Sequence, residues 1–154
     1  MKTISFQLNG KNKEIQADPE EPLLYILRDE FELSGAKFGC GLQQCSACMV
    51  LVDDQAVPTC LSPCETFQGK NIETIEGLKQ GNKLHPVQEA FVQEQAAQCG
   101  YCLNGMLISA VSLLRSNNNP SEEEIKEALN SVICRCGTHS RFIKAVKNVS
   151  ESKL

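Results

Sequence analysis

Tryptophan is missing from this chain of 154 residues, and six phenylalanines with two tyrosines are its whole aromatic content. A large aromatic ligand pocket is therefore not indicated. The chain also lacks a basic excess, because its formal net charge is -4 and no basic stripe runs along it. A nucleic acid is for that reason not expected as a partner.

Long apolar runs are missing as well, including at the amino terminus. Residues 1–13 alternate polar and apolar side chains, whereas a signal peptide or a membrane span needs a continuous apolar core. We therefore expect neither, and we expect a cytoplasmic location or export together with a partner. Without a secretory signal, metal binding explains the nine cysteines better than disulfide pairing does, and their odd number agrees with this.

Cysteine is the residue that the chain has in excess, and eight of the nine fall into two groups of four. The first group consists of Cys40, Cys45, Cys48 and Cys60. Its C-x4-C-x2-C…C spacing is that of plant-type 2Fe–2S proteins, whereas zinc sites usually pair C-x2-C knuckles. Gly39 and Gly41 would let the loop fold closely around an anionic cluster and direct N–H groups at it. The first group therefore predicts a 2Fe–2S site.

The second group consists of Cys99, Cys102, Cys134 and Cys136. Cysteines three apart point the same way on a first helical turn, and cysteines two apart lie on one side of an extended backbone. A helix that begins near Asn104 would direct the positive end of its dipole at the site. Spacing alone leaves zinc and iron–sulfur both open for this group.

Hydrophobic periodicity predicts an α+β domain over residues 1–76. Alternating residues on both sides of Asn9 and Gly10 indicate a β-hairpin. An apolar repeat predicts a helix over residues 22–31, and apolar runs predict strands at 49–52 and 72–75.

Residues 77–84 are predicted to be a linker, and residues 85–154 a helical domain. The linker is polar and carries two glycines, which is typical of a domain boundary. Four apolar faces at helical spacing follow, and Ser121 with Glu124 has the spacing of a capping box. Four short helices with one apolar face each would pack as a bundle.

Three stretches of the chain, residues 37–48, 98–106 and 134–138, resemble the small subunit of the molybdenum hydroxylases, the family of xanthine oxidase, aldehyde oxidoreductase and carbon monoxide dehydrogenase. The resemblance covers nearly the whole chain and implies a plant-ferredoxin-like β-grasp domain followed by a four-helix-bundle domain. Tyr101 with Asn104 and Gly105 resembles the isoquinoline oxidoreductase and nicotinate dehydrogenase type. Ser46 stands where the family commonly has glycine, and we expect its hydroxyl to adjust the potential of the first cluster.

The resemblance also implies a function, that of an oxidoreductase subunit that is not catalytic alone. It implies two 2Fe–2S clusters, the second beside a molybdopterin cofactor that a large partner subunit holds, with Gln98 and Cys136 as its contacts. Electrons would pass from that large subunit, which oxidises an aldehyde or N-heterocycle, through the second and then the first cluster. The external acceptor would be an FAD subunit or a haem cytochrome.

Several other residues could be interpreted as functional but also have simpler structural interpretations. Cys64 fits a small buried side chain better than a substitute ligand, and His85 fits a helix cap better than a metal ligand. His139 is a weak candidate for Rieske-type ligation, because four thiolates are already available. Arg135 has two interpretations that are equally open. It is either a solvated surface charge or a cation that favours the reduced form of a cluster. A free-standing ferredoxin and a zinc-stabilised interaction module remain the alternative functions.

Overall fold

A five-stranded sheet forms the first half of the chain, and the computed structural model describes residues 1–152 in all. The strands are β1 Lys2–Leu8, β2 Lys11–Ala17, β3 Met49–Val52, β4 Gln55–Pro58 and β5 Asn71–Glu73. Their order in the sheet is β2-β1-β5-β3-β4. β1 and β5 run parallel, and the other neighbours are antiparallel. The last two residues of the predicted helical domain, 153 and 154, lie outside the described residues.

The predicted hairpin is confirmed. Asn9 and Gly10 have φ values of 50° and 76°, the left-handed conformation that a two-residue hairpin turn requires at both positions. β4 was not predicted, and it forms because Asp53 and Asp54 take φ values of 48° and 68° and turn the chain straight back along β3. The predicted strand at 72–75 is shifted, since β5 ends at Glu73.

The helix predicted over residues 22–31 begins as α1, Leu23–Tyr25, and continues as a π-helical segment, Ile26–Glu30. Leu23, Leu24 and Leu27 are fully buried and pack with strand residues such as Ile4 and Phe6 in one hydrophobic core. The apolar repeat thus placed the helix, while its wider π turns had no sequence signal.

Strand β3 separates two hydrophobic cores because successive side chains of a strand point to opposite faces. Val50 packs in the core beneath α1, and Met49 and Leu51 pack against the helices of the second half. The sheet is therefore covered on both faces, and the helical half is held directly against the strand that follows the first cysteine group.

The helices of the second half are α2 Pro86–Gln93, α3 Leu103–Ser116, α4 Glu122–Leu129 and α5 His139–Glu151. The capping box of Ser121 and Glu124 is confirmed. Val132 lies beyond the end of α4 and is buried in the helical core. Within residues 1–152, no helix has the length and apolar character that crossing a membrane demands.

His85 caps α2, and this predicts a pH-dependent stability. Its Nδ1 accepts a hydrogen bond from the Val87 N–H at 3.2 Å, so the cap needs a neutral ring. Burial, and then the charge of Arg115, lower the pKa of His85 against the opposing effect of Glu73. Because the folded pKa lies below the unfolded value of about 6.5, the stability present above that pH is lost as the pH falls below it.

The variant His85→Asn keeps an N-cap that does not titrate. We expect its thermal midpoint to change less than that of the wild type between about pH 7.5 and pH 5.5. His139→Asn removes the chain's other histidine and should keep the wild-type dependence. An unchanged pH dependence in His85→Asn would contradict this assignment.

Candidate metal centres

The first cysteine group surrounds a loop between the π-helical segment and β3. Cys40 and Cys45 lie on the loop, and Cys48 ends it directly before β3. Cys60 follows β4 and is 3 % exposed. The hairpin of β3 and β4 therefore carries two of the four thiols on a rigid support.

Backbone amides of this loop donate to the sulfurs. The N–H groups of Leu42 and Gln44 each lie 3.3 Å from the Cys40 Sγ, and the Cys40 N–H lies 3.3 Å from the Cys45 Sγ. The hydrogen bonds from Leu42 and Gln44 are the main causes that lower the pKa of Cys40 to about 7. The loop therefore stabilises negative charge on sulfur, as an anionic cluster requires.

Glycine is needed at one point of the loop. A Cβ on Gly39 would lie 2.6 Å from the Cys45 Sγ, so no side chain fits there without displacing the thiol.

The thiols on the β3–β4 hairpin have a different electrostatic environment. Burial is the first cause that raises the pKa of Cys60 to about 11. The Thr59 N–H lies 3.3 Å from the Cys48 Sγ and supports that sulfur.

The second cysteine group lies at two helix junctions. Cys102 is the N-cap residue of α3 and is buried, whereas Cys99 precedes it across a turn in which Gly100 has φ 81°. The expectation that both sit on one helical turn is wrong for Cys99, because α3 begins only at Leu103. The N-terminus of this 14-residue helix nevertheless starts at the site, where its dipole favours negative charge.

Cys134 and Cys136 lie between α4 and α5 and face the other pair. The Cys134 thiol lies beside that of Cys102, and the Cys136 thiol beside that of Cys99. Burial, and then Cys134, raise the pKa of Cys102 to about 12. Burial would also raise the pKa of Cys134, but hydrogen bonds from Cys102 and from the backbone of Gly137 and Thr138 outweigh it and lower the value.

The thiols of both groups are arranged in pairs. Facing pairs are Cys40 with Cys45, Cys48 with Cys60, Cys99 with Cys136, and Cys102 with Cys134. All nine cysteines are free of disulfide bonds. Two pairs per group match a cluster in which two irons share four thiolates, so each group fits a 2Fe–2S centre. Within the described 152 residues, no three His, Cys, Asp or Glu side chains converge as a single-ion site needs.

The helical half is hydrogen-bonded to the loop of the first group. The Ile133 N–H donates to the Cys45 carbonyl at 3.3 Å. The Asn104 Nδ2 donates to the carbonyls of Ala47 at 3.0 Å and Met49 at 2.8 Å. Since Ile133 precedes Cys134 and Asn104 follows Cys102 by two residues, these bonds join the two cysteine groups directly.

Gly105 permits this approach, because a Cβ there would lie 2.6 Å from the Ser46 carbonyl oxygen. The roles of Asn104, Gly105 and Ile133 were not found from the sequence. A glycine inside a helix is a signal of close backbone approach, and it was present at Gly105. Asn104 and Ile133 offer no such local signal.

The hydroxyl of Ser46 was expected to adjust the potential of the first cluster, but the structure gives it another hydrogen-bond partner. Its hydroxyl donates to the Ser131 carbonyl at 2.9 Å, and the residue is 2 % exposed. The hydroxyl therefore fastens the loop to the helical half and has no proton left for a sulfur of the first group. The φ of Ser46 is 63°, a conformation that glycine adopts without strain.

Gln98 lies in a groove of about 910 Å³ beside the second group. Apolar side chains such as Phe91 and Val92 line it together with Cys99 and Cys136. Gln98, Cys99 and Cys136 are all exposed, so this edge of the second group opens to the surface. The groove offers a protein partner access to that edge.

The other residues singled out in the sequence do not belong to the thiol pairs. Cys64 is fully buried, and its Sγ donates to the Asp18 carbonyl at 3.1 Å. Burial, and then nearby carboxylates beginning with Glu21, raise the pKa of Cys64. Arg135 and His139 are exposed. Cys64 thus has the structural role of a small buried side chain.

Comparison with known proteins agrees with this geometry. Residues 6–74 match the family model described as a 2Fe-2S iron-sulfur cluster binding domain, and residues 74–147 match a second model described as a 2Fe-2S binding domain. A nicotinate dehydrogenase subunit of Pseudomonas putida is 48 % identical over 98 % of this chain and 96 % of its own length. The alpha subunit of isoquinoline 1-oxidoreductase from Brevundimonas diminuta is 40 % identical over 96 % of this chain and 97 % of its own.

Solved structures give the same result. The crystal structure of quinoline 2-oxidoreductase from Pseudomonas putida 86 superposes with a TM-score of 0.93 at 37 % identity, over 98 % of this chain and 94 % of that one. The aldehyde oxidoreductase of Desulfovibrio desulfuricans gives a TM-score of 0.94 at 33 % identity over 99 % of this chain. This chain matches 17 % of that longer polypeptide.

Proposed function

Because this chain belongs to the small iron–sulfur subunits of the molybdenum hydroxylases, we propose that its two sets of thiols hold the two clusters of an electron path that leaves a molybdenum-binding large subunit. The subunit carries two 2Fe–2S clusters, with a β-grasp domain for one and a helical domain for the other. One-electron transfer is the chemistry that both clusters supply when bound. The observation that carries the proposal is the pairing of eight thiols into two four-thiolate sites joined by direct hydrogen bonds.

We assign the ligands by these pairs. Cys40, Cys45, Cys48 and Cys60 hold the first cluster, and Cys99, Cys102, Cys134 and Cys136 hold the second. Cys48 and Cys60 of the first group lie in the hydrophobic core of the sheet half, whereas Cys102 lies in the core of the helical half and Cys134 packs against it. That division supports residues 1–76 and 85–154 as the two domains, with 77–84 as the linker.

The path between the two sites runs through one hydrogen bond. The Ile133 N–H donates to the Cys45 carbonyl, and Ile133 is bonded covalently to Cys134. A ligand of each site is therefore reached from the other by the backbone and a single N–H···O contact. We propose this contact as the main connection between the two clusters.

The surface that each site exposes supports the proposed direction of transfer. Gln98 and Cys136 open into the apolar groove of the helical half, which supports docking of the molybdopterin-holding subunit there. Leu42 and Leu61 are 61 % and 53 % exposed beside the first site, and they support docking of the acceptor on that side. An FAD subunit or a cytochrome is the proposed acceptor, an aldehyde or N-heterocycle the proposed substrate class, and the cytoplasm the proposed location.

Replacing Gln98 with alanine tests the docking side. The variant should assemble both clusters and co-purify with the molybdenum-containing subunit, but reduction of the second cluster should be slower, because the side chain that would contact the pterin is gone. The measurement is rapid mixing of the complex with nicotinate, and in parallel with an aromatic aldehyde, followed at both cluster signals. Reduction at the wild-type rate would contradict the assignment of Gln98.

Gln44→Ala is the matched control, because its side chain is exposed on the loop of the first site. It should leave reduction of the second cluster unchanged. Failure of the wild-type chain to co-purify with a molybdenum-containing subunit would overturn the partnership itself.

A further inference from the structure

Thr138 carries a buried hydroxyl that no group in the described part of the chain binds. The residue directly precedes α5, where threonine normally caps the helix with its side chain, but its hydroxyl makes no such cap. The residue is 6 % exposed. Within residues 1–152, its Oγ1 has no hydrogen-bond partner. Leaving a buried hydroxyl unpaired is unfavourable, so its partner should be a group that binds at this place.

The backbone around Thr138 already faces a sulfur. The backbone amides of Gly137 and Thr138 both lie beside the thiol of Cys134, which is paired with Cys102. Gly137 has φ 75°, which curls the chain so that successive amides share that target. The Thr138 side chain therefore starts from a residue whose own amide points into the second site.

Of the buried unpaired atoms, Thr138 has the one suited to a sulfur. The unpaired buried atoms in the described part of the chain are Glu76 Oε2, Asn104 Oδ1 and Thr138 Oγ1. The amide oxygen of Asn104 accepts hydrogen bonds and cannot donate them, and the same is true of the ionised carboxylate of Glu76. A thiolate or sulfide is an acceptor as well and needs a donor. The hydroxyl of Thr138 has a proton to donate.

We propose that the Thr138 hydroxyl donates a hydrogen bond to a sulfur of the second cluster and thereby raises the reduction potential of that cluster. The proposal rests on the ligand assignment given under the proposed function. Reduction adds one negative charge to the site, so a hydrogen-bond donor stabilises the reduced form more than the oxidised form. Loss of the hydroxyl should therefore favour the oxidised form.

Thr138→Val tests this, because valine keeps the shape and removes the hydroxyl. Redox titration of the complex, followed by the separate paramagnetic signals of the two clusters, should show the reduction equilibrium of the second cluster shifted about five-fold toward the oxidised form, the effect of one hydrogen bond. Thr138→Ser should stay near the wild type. The first cluster is the internal reference and should not shift.

Each result decides the matter. In a Val variant with full iron, an unchanged reduction potential of the second cluster would overturn the role of Thr138. A shift of equal size in the Ser variant, or an equal shift of both clusters, would overturn it as well. If valine prevents assembly, Thr138→Ala removes the same hydroxyl with less bulk and is judged by the same shift. Wild-type protein without iron in the second site would instead overturn the ligand assignment, so the two failures are distinguishable.

Discussion

Replacing Cys60 with serine is expected to remove the first cluster and leave the second in place. Iron should fall from about four to about two atoms per chain, because each 2Fe–2S cluster needs four thiolates. Cys60 is buried after β4, and its thiol contacts that of Cys48, so no other sulfur is placed to substitute. One of two paramagnetic signals should disappear, and transfer to the external acceptor should fall to background while reduction of the second cluster by substrate persists.

Cys64→Ser is the matched control for that experiment. Cys64 is four residues away and equally buried, but its Sγ donates to the Asp18 carbonyl, a bond that a serine hydroxyl can also make. Iron content and both signals should be those of the wild type. Iron loss in the Cys64 variant, or full iron in the Cys60 variant, would refute the ligand assignment.

Gly105→Ala is expected to weaken the junction between the two sites. At an exposed position inside a helix, replacing glycine with alanine stabilises the helix. Here the new Cβ would lie 2.6 Å from the Ser46 carbonyl oxygen and 3.0 Å from the Val132 Cγ1. Backbone must shift, and overpacking of this kind costs about 1–3 kcal/mol. The thermal midpoint should fall by roughly 3–10 °C.

The same shift should slow electron transfer between the clusters, because it separates α3 and the Ile133 segment from the loop of the first site. Reduction of the first cluster after rapid mixing should lag that of the second more than in the wild type. Ser112→Ala is the control, since the Ser112 hydroxyl joins the same helix to the β3–β4 hairpin through Ala56 and Asp54, away from both sites. A Gly105 variant as stable and as fast as the wild type would contradict the role of this junction.

The sequence predicted those features whose causes are local. The hairpin at Asn9 and Gly10 and the capping box at Ser121 follow from the conformations of a few neighbouring residues. The two cysteine groups were visible because ligand spacing is fixed by cluster geometry. The resemblance to a known family then separated iron–sulfur from zinc in the second group, which spacing alone left open.

Features that depend on contacts across the fold were missed or misread. The hydroxyl of Ser46 was expected at the first cluster, but the helical half offers it the Ser131 carbonyl. Cys99 and Cys102 were expected to share a first helical turn, but Cys99 lies before the helix, which begins at Leu103. Asn104 and Ile133 matter because they bond to a loop that is more than 50 residues away in sequence. Periodicity and spacing carry no information on such pairs.

The central claim, two 2Fe–2S clusters held by eight named cysteines, is tested most directly by metal analysis of the anaerobically purified full chain. We expect about four iron atoms and four acid-labile sulfides per chain, no zinc, and two distinct paramagnetic signals after reduction. Zinc in place of half of the iron, with a single remaining signal, would contradict the account.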